Sequence, residues 1–348
     1  MKISFLVTYF NQEAYVKQSL DSILKAEKPE DWEILVGDDG SSDHTAEKVK
    51  EYIQKDPEHI RLFVMPREEG VRYDFVRRAS ANRLNLLRHC TGDCFCVLDG
   101  DDFYTDSQFV KDAIQIFEKH EEVSLVSFGF GYYLDGKFGE EFLLPAAMEG
   151  MVHSDEYVRK YYIHAGACVF RILWDRDRLE KILEIGYFDD NDIVMNSLAY
   201  GRMFYVNRCI YAYRQTGDSI YTRMKLYEKA VLNVQGYDVD QKLAGPELAD
   251  ALLVRVASPI LQMYLNRKRS RDLLGAEKYD RYVNGSRRIG DSLCYKLLSY
   301  GNLSGEERRE VHAVIRKILF LCPVLTGKNW MSHMLKGRQV SLESSVTG

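Results

Sequence analysis

The chain lacks several features that would assign it quickly. It has no Cys-x-x-Cys pair, and no histidine stands at zinc-ligand spacing from a cysteine pair. The seven cysteines (Cys90, Cys94, Cys96, Cys168, Cys209, Cys294 and Cys322) are odd in number and irregularly spaced, so a reducing compartment fits best. Cys94 and Cys96 alternate on an apolar run, where a thiol behaves as a small hydrophobe. No apolar run approaches the roughly 18 residues of a membrane span. The opening run, Met1 to Val7, is cut short by Thr8, Asn11, Gln12 and Glu13 without a small-residue cleavage site, so it does not read as a signal peptide. A cytoplasmic location is expected, with peripheral contact at the inner face of the membrane left open. Basic charge is not in excess, with 47 Lys and Arg against 52 Asp and Glu, so no nucleic-acid partner is expected. There is no GxxxxGK[ST] loop and no GxGxxG after the first apolar run, which argues against P-loop and dinucleotide enzymes.

The 348 residues exceed one domain of about 100–200, so two units are expected. Hydrophobic residues, at 46%, suffice for a packed core. The first hundred residues alternate between two periods. Ile3 to Val7, Glu33 to Gly37, Arg61 to Met65 and Cys94 to Leu98 are short apolar runs, expected as strands. Between them, Ala14 to Ala26 places Val16, Leu20, Ile23 and Leu24 on one helical face. A second helix is expected through about Gln54, capped by Ser42 or Asp43, and a third over Arg78 to His89. This alternation predicts an α/β fold with a mostly parallel sheet and helices on both faces. Ligands of such sheets bind beyond the carboxyl ends of the strands. That rule selects Thr8 to Glu13, Asp38 to Asp43 and Asp99 to Asp102.

Asp99-Gly100-Asp101-Asp102 puts three carboxylates in four residues at a strand end. They repel one another unless a cation is present, and Mn²⁺ or Mg²⁺ with substrate phosphates suits hard oxygen ligands. A solvated turn is the plainer explanation of such a cluster. The buried run before it and its place at the ligand edge favour the metal. At the neighbouring strand end, Asp38-Asp39-Gly40-Ser41-Ser42-Asp43 offers carboxylates to a base N–H or a ribose hydroxyl, beside ordinary helix capping.

Together these segments resemble family 2 glycosyltransferases of the GT-A fold, over about residues 1–220. The resemblance rests on Thr8-Tyr9-Phe10-Asn11-Gln12-Glu13, on Asp38-Asp39-Gly40-Ser41-Ser42-Asp43, and on Leu98-Asp99-Gly100-Asp101-Asp102, with a looser match at Asn82-Arg83. It implies a nucleotide-sugar site from Thr8, Tyr9, Asn11, Asp39, Arg83 and Asp99, with Asp99 on the ribose and Asp101 as the metal ligand bridging the diphosphate. Tyr187-Phe188-Asp189-Asp190-Asn191-Asp192 resembles the family's Glu-Asp motif, which makes Asp190 the catalytic base with Asp189 beside it and Asp192 as the fallback. A plain acidic helix start would look the same. Tyr211-Ala212-Tyr213-Arg214 resembles a segment near the diphosphate, where Arg214 would offer a planar fork; a surface arginine is nearly as good an account. His164 is a weaker candidate for the donor-sugar or acceptor pocket.

The expected partners are a nucleotide-sugar donor, with UDP as the default nucleotide, and a saccharide or lipid-linked acceptor in bacterial surface polysaccharide synthesis. One base and no second nucleophile imply inversion. A nucleotidyltransferase-like enzyme, or an inactive carbohydrate-binding protein on the same fold, are the rivals. From residue 221 to 338 a helical C-terminal region is expected, with a disordered tail over 339–348. Arg267, Lys268, Arg269, Arg271, Arg308, Arg309, Arg316 and Lys317 permit membrane contact there, and a homodimer is an equal alternative. A solvated helix surface explains them more simply.

Overall fold

The structure is a computed structural model that describes residues 1–68, 70–71, 73–215, 224–252, 255–256, 259 and 266–277. The boundary expected near residue 220, the tail over 339–348 and the basic residues from Arg308 onward lie outside the described residues. Strands and helices alternate at the start: β1 (Ile3–Tyr9), α1 (Val16–Lys25), β2 (Trp32–Asp38), α2 (Thr45–Lys55), β3 (Ile60–Val64), α3 (Phe75–His89) and β4 (Cys94–Asp99). Then come β5 (Phe103–Tyr104), α4 (Phe109–Lys119), β6 (Val123–Leu134), β7 (Lys137–Phe142), β8 (Gly150–Val152), α5 (Ser154–Lys160), β9 (Cys168–Arg171), α6 (Arg176–Ile185), α7 (Asp190–Leu198) and β10 (Arg202–Arg214). Two further helices, α8 (Leu226–Leu243) and α9 (Arg267–Leu274), lie beyond the sheet in sequence.

Two compact units divide the chain. The first takes in described residues of 1–154, 162–215 and 239–247. The second takes in 155–161, 224–238 and the described residues from 248 onward. The first unit contains the sheet, in the order β3-β2-β1-β4-β9-β6-β10-β5. Pairing from β3 through β4 is parallel, as the alternating pattern predicts. β9 then runs antiparallel to both β4 and β6, while β6 and β10 pair in parallel.

Ile3, Phe5 and Val7 are fully buried, which is why β1 reads as a continuous apolar run. On α1 the buried stripe is Val16, Ser19, Leu20 and Ile23. Leu24 departs from the expected face and is exposed. It stands eight residues after Val16, about 80° further round a helix of 3.6 residues per turn. Helix α3 starts earlier than Arg78 because Asp74 accepts from the N–H groups of Val76 and Arg77. At α2, Asp43 accepts from the Thr45 N–H at 3.0 Å, whereas the Ser42 N–H turns to Asn11 Oδ1 at 2.8 Å.

A buried carboxylate ties the opposite edge of the parallel strands. Glu33 accepts from Ser4 Oγ (2.6 Å), Thr91 N (2.8 Å), Thr91 Oγ1 (2.9 Å) and Arg61 Nη2 (2.6 Å). Burial raises its pKa, but these donors outweigh it and hold the carboxyl below its ordinary value.

Candidate active site

Parallel register brings the three predicted loops to one edge. Thr8 lies opposite Gly37 on one side and Asp99 on the other. Its hydroxyl donates to Asp99 Oδ1 at 3.2 Å, and its carbonyl accepts from the Gly100 N–H at 2.8 Å. The Asp39 N–H donates to the Tyr9 carbonyl at 2.9 Å. Asn11 holds a left-handed φ of 51°, which asparagine tolerates, and takes Ser41 Oγ as acceptor for its N–H at 2.8 Å. It therefore stitches the first loop to the second. Tyr9 is sequestered: its ring is buried and its hydroxyl bonds Ser19. A Cβ on Gly100 would fall 2.0 Å from that ring, so the acidic turn needs glycine for close approach.

Arg83 joins elements far apart in sequence. Its guanidinium, 9% exposed, meets Asp99 Oδ1 at 2.9 Å and Asp190 Oδ1 at 3.5 Å, and donates to the Phe188 carbonyl at 3.5 Å. Asp190 begins α7 and also receives the Tyr162 hydroxyl at 3.2 Å. His164 Nε2 lies 3.6 Å from Asp190 Oδ2. His164 Nδ1 accepts from the Gly166 N–H at 3.1 Å, which puts the imidazole proton on Nε2, toward Asp190. The ring stacks on Tyr211 at 4.8 Å, and a Cβ on Gly166 would fall 2.3 Å from that Tyr211 ring. Asp99, Arg83, Asp190, His164 and Thr8 thus converge.

The neighbours of Asp190 do other work. Asp189 is the N-cap of α7, accepting from Asn191 N at 3.1 Å and Asp192 N at 3.3 Å. Asp192 Oδ2 returns the bond from the Asp189 N–H at 2.8 Å, closing a capping box. Asp192 is fully buried. Burial and the Asp190 charge push Asp189 up, and burial and Asp189 push Asp192 well up.

Asp39 belongs to a separate cluster, ion-paired with Arg67 and Arg78. The Arg67 guanidinium lies 3.7 Å above the Phe10 ring, and that of Arg78 lies 4.8 Å above Tyr73. Arg214 clasps the acidic turn. Its N–H donates to Asp102 Oδ1 at 2.6 Å and its Nε to the Asp101 carbonyl at 2.6 Å. Its guanidinium also reaches Gln18 at 2.7 Å and lies over Tyr15 at 4.6 Å.

The carboxylates of the turn differ in charge balance. Burial raises Asp99, but Arg83 and His164, with the hydrogen bonds from Arg83 and Thr8, bring it below the ordinary range. Burial and the Asp99 charge lift Asp101 to about 6. Burial and the two other carboxylates push Asp102 far up, and it accepts from the Tyr211 hydroxyl at 2.6 Å. Ligand atoms of Asp99, Asp102 and His164 lie within 4.8 Å of one another. Each already has protein donors or acceptors. Asp101 has Gln12 and the Arg214 charge in its favour, but burial and the Asp99 charge outweigh them. A divalent cation would offset the repulsion among these carboxylates, and hard oxygen ligands suit it.

Arg67, Arg78, Tyr162 and Tyr211 join the site only through the fold; Tyr211 lies in the Tyr211-Ala212-Tyr213-Arg214 segment. Tyr162 had no signal beyond lying two residues before His164.

Residues 4–171 match the family model described as Glycosyl transferase family 2. A Mycobacterium bovis protein without assigned function is 25% identical over 170 residues, covering 49% of this chain but 46% of its own length, so the chain spans less than half of that relative. The Bacillus subtilis protein EpsE, named as a glycosyltransferase, is 24% identical over 76% of this chain and 90% of its own. Among solved structures, residues 1–349 of S. aureus TarS in complex with UDP-GlcNAc share the fold with a TM-score of 0.56 at 18% identity, covering 86% of this chain and 82% of that one.

Proposed function

We propose, on the premise that the chain is a family 2 glycosyltransferase of the GT-A fold, that it moves a sugar from a UDP-sugar to a hydroxyl of a saccharide or lipid-linked acceptor with inversion. Assembly of a bacterial surface polysaccharide is the process that such a transfer serves. The observation that carries this reading is the Arg83 bridge, which brings Asp190 to the same cluster as the acidic turn.

Asp190 is the base that takes the acceptor proton. Arg83 Nη1 and His164 Nε2 lie 3.5 and 3.6 Å from its carboxylate oxygens and hold it in place. Asp99 contacts the ribose, with Thr8 and Arg83 fixing its orientation. Arg67 and Arg78 take up the Asp39 carboxylate, so a nucleobase at this strand end would meet that ion-paired cluster and not a free carboxylate. Asp101 would hold Mn²⁺ or Mg²⁺, which would supply Lewis-acid neutralisation of the leaving diphosphate. Asp102 and Arg214 fix the turn that carries Asp101. Asp189 and Asp192 keep the first turn of α7 in register, so that Asp190 points at the site.

The test is nucleotide release from a panel of UDP-, GDP- and dTDP-sugars, with Mn²⁺ or with EDTA. Release from a UDP-sugar that depends on metal is the expected result. No nucleotide binding and no metal-dependent turnover would overturn the reading. NMR of the product checks inversion at the anomeric carbon.

A further inference from the structure

Tyr162 has no part in the donor chemistry above, yet it is held in place. It is 45% exposed, and its hydroxyl donates to Asp190 Oδ2 at 3.2 Å. Its ring meets Phe130 edge-on, with centroids 6.3 Å apart and planes at 90°. Phe130 is itself buried, stacked on Phe142 at 4.8 Å, and 5.7 Å from the His164 ring. The phenol is therefore pinned at its hydroxyl and braced by an aromatic edge, while much of its surface meets solvent.

We propose that Tyr162 is the platform of the acceptor subsite, and that the acceptor unit resting on it is a pyranose. The inference relies on Asp190 as the base. A pyranose has one face made of C–H groups and a rim of hydroxyls. The C–H face stacks on an aromatic ring. From there a rim hydroxyl reaches the carboxylate that already accepts an O–H from the same side. A hydrocarbon chain would gain from the ring as well, but it offers no hydroxyl. It would also cover the part-exposed Asp190 carboxylate with apolar atoms, and stripping water from a charged group is costly. The chemistry at the ring favours a saccharide over an isoprenoid.

NMR titration of the full chain tests this, with the methyl pyranosides of glucose, galactose, mannose and N-acetylglucosamine as probes and farnesyl phosphate as the competing lipid. At least one pyranoside should bind the wild type, with saturation transfer strongest at the protons of one sugar face. Tyr162→Phe should keep that affinity within about threefold, because the ring remains. Tyr162→Leu should weaken it by about tenfold, and Tyr162→Trp should match or exceed the wild type. Thermal unfolding checks that each variant folds, and Trp against Phe supplies the comparison if Leu does not. Unchanged affinity in Tyr162→Leu would overturn the proposal, and so would a site that takes farnesyl phosphate but no pyranoside. UDP titrated into the same wild-type sample separates the two claims. Failure to bind UDP sinks the proposed function. UDP binding without pyranoside binding sinks only the platform.

Discussion

Gly100 shows how one missing side chain shapes the site. The turn lies so close to the buried Tyr9 ring that an added methyl would sit 2.0 Å from it. Tyr9 is fixed by its hydroxyl bond to Ser19 and by core packing, so the turn must move instead. Gly100→Ala should destabilise the fold by about 1–3 kcal/mol, as overpacking does, and displace Asp101. Chemical denaturation and UDP titration check it: lowered stability with weakened UDP binding is expected. Arg83 is equally tied to position. A lysine there would keep the charge but lose the fork that meets Asp99 and Asp190 together. Arg83→Lys should lower turnover by about 10²-fold, an effect of the size that misplaced catalytic groups produce, as steady-state kinetics would show.

At the scale of the element, helix α7 separates three adjacent carboxylates by role. Asp189 and Asp192 complete the cap, and Asp190, one step along, faces Arg83 and His164. Asp189→Ala should cost about 1 kcal/mol of stability through loss of the cap. Asp190→Asn should cost little stability and most of the activity. Denaturation curves of the two variants, set beside their rates, distinguish cap from base. The acidic cluster was legible in the sequence as a helix start. The family resemblance pointed to Asp190, but the capping box of Asp189 and Asp192 was not legible, because that depends on the rotation of the first turn. The cap of α3 by Asp74 was missed for a related reason, since a lone Asp before an aromatic residue resembles any loop carboxylate.

For the whole molecule, the parallel half of the sheet was readable and the rest was not. Short apolar runs ending in polar loops fixed β1 to β4 and pointed to Thr8, Asp39 and Asp99 as neighbours across strand ends. The insertion of β9 between β4 and β6 depends on pairings between distant segments, which period and composition do not encode. Likewise Asp39 looked like an open nucleobase contact, because Arg67 and Arg78 reach it only through the fold. Glu33 at the opposite edge gives a pH test of the parallel half. Its folded pKa lies below its ordinary 4.5, so the unfolded chain binds more protons as pH falls through that range. The stabilisation is present above about pH 4.5 and is lost as pH falls through the folded value. Glu33→Gln should be less stable by about 2 kcal/mol at pH 7, with the gap from wild type closing on acidification. Thermal unfolding across pH 3 to 7 would show it.

The central claim is that Asp190 is the base of a donor site assembled around Asp99 and Asp101. Its most direct test measures donor affinity and transfer rate together in Asp190→Asn. The account predicts transfer reduced by about 10³-fold, within the range for loss of a general base, with UDP-sugar affinity within a few-fold of wild type. Near-normal transfer by the variant would contradict it.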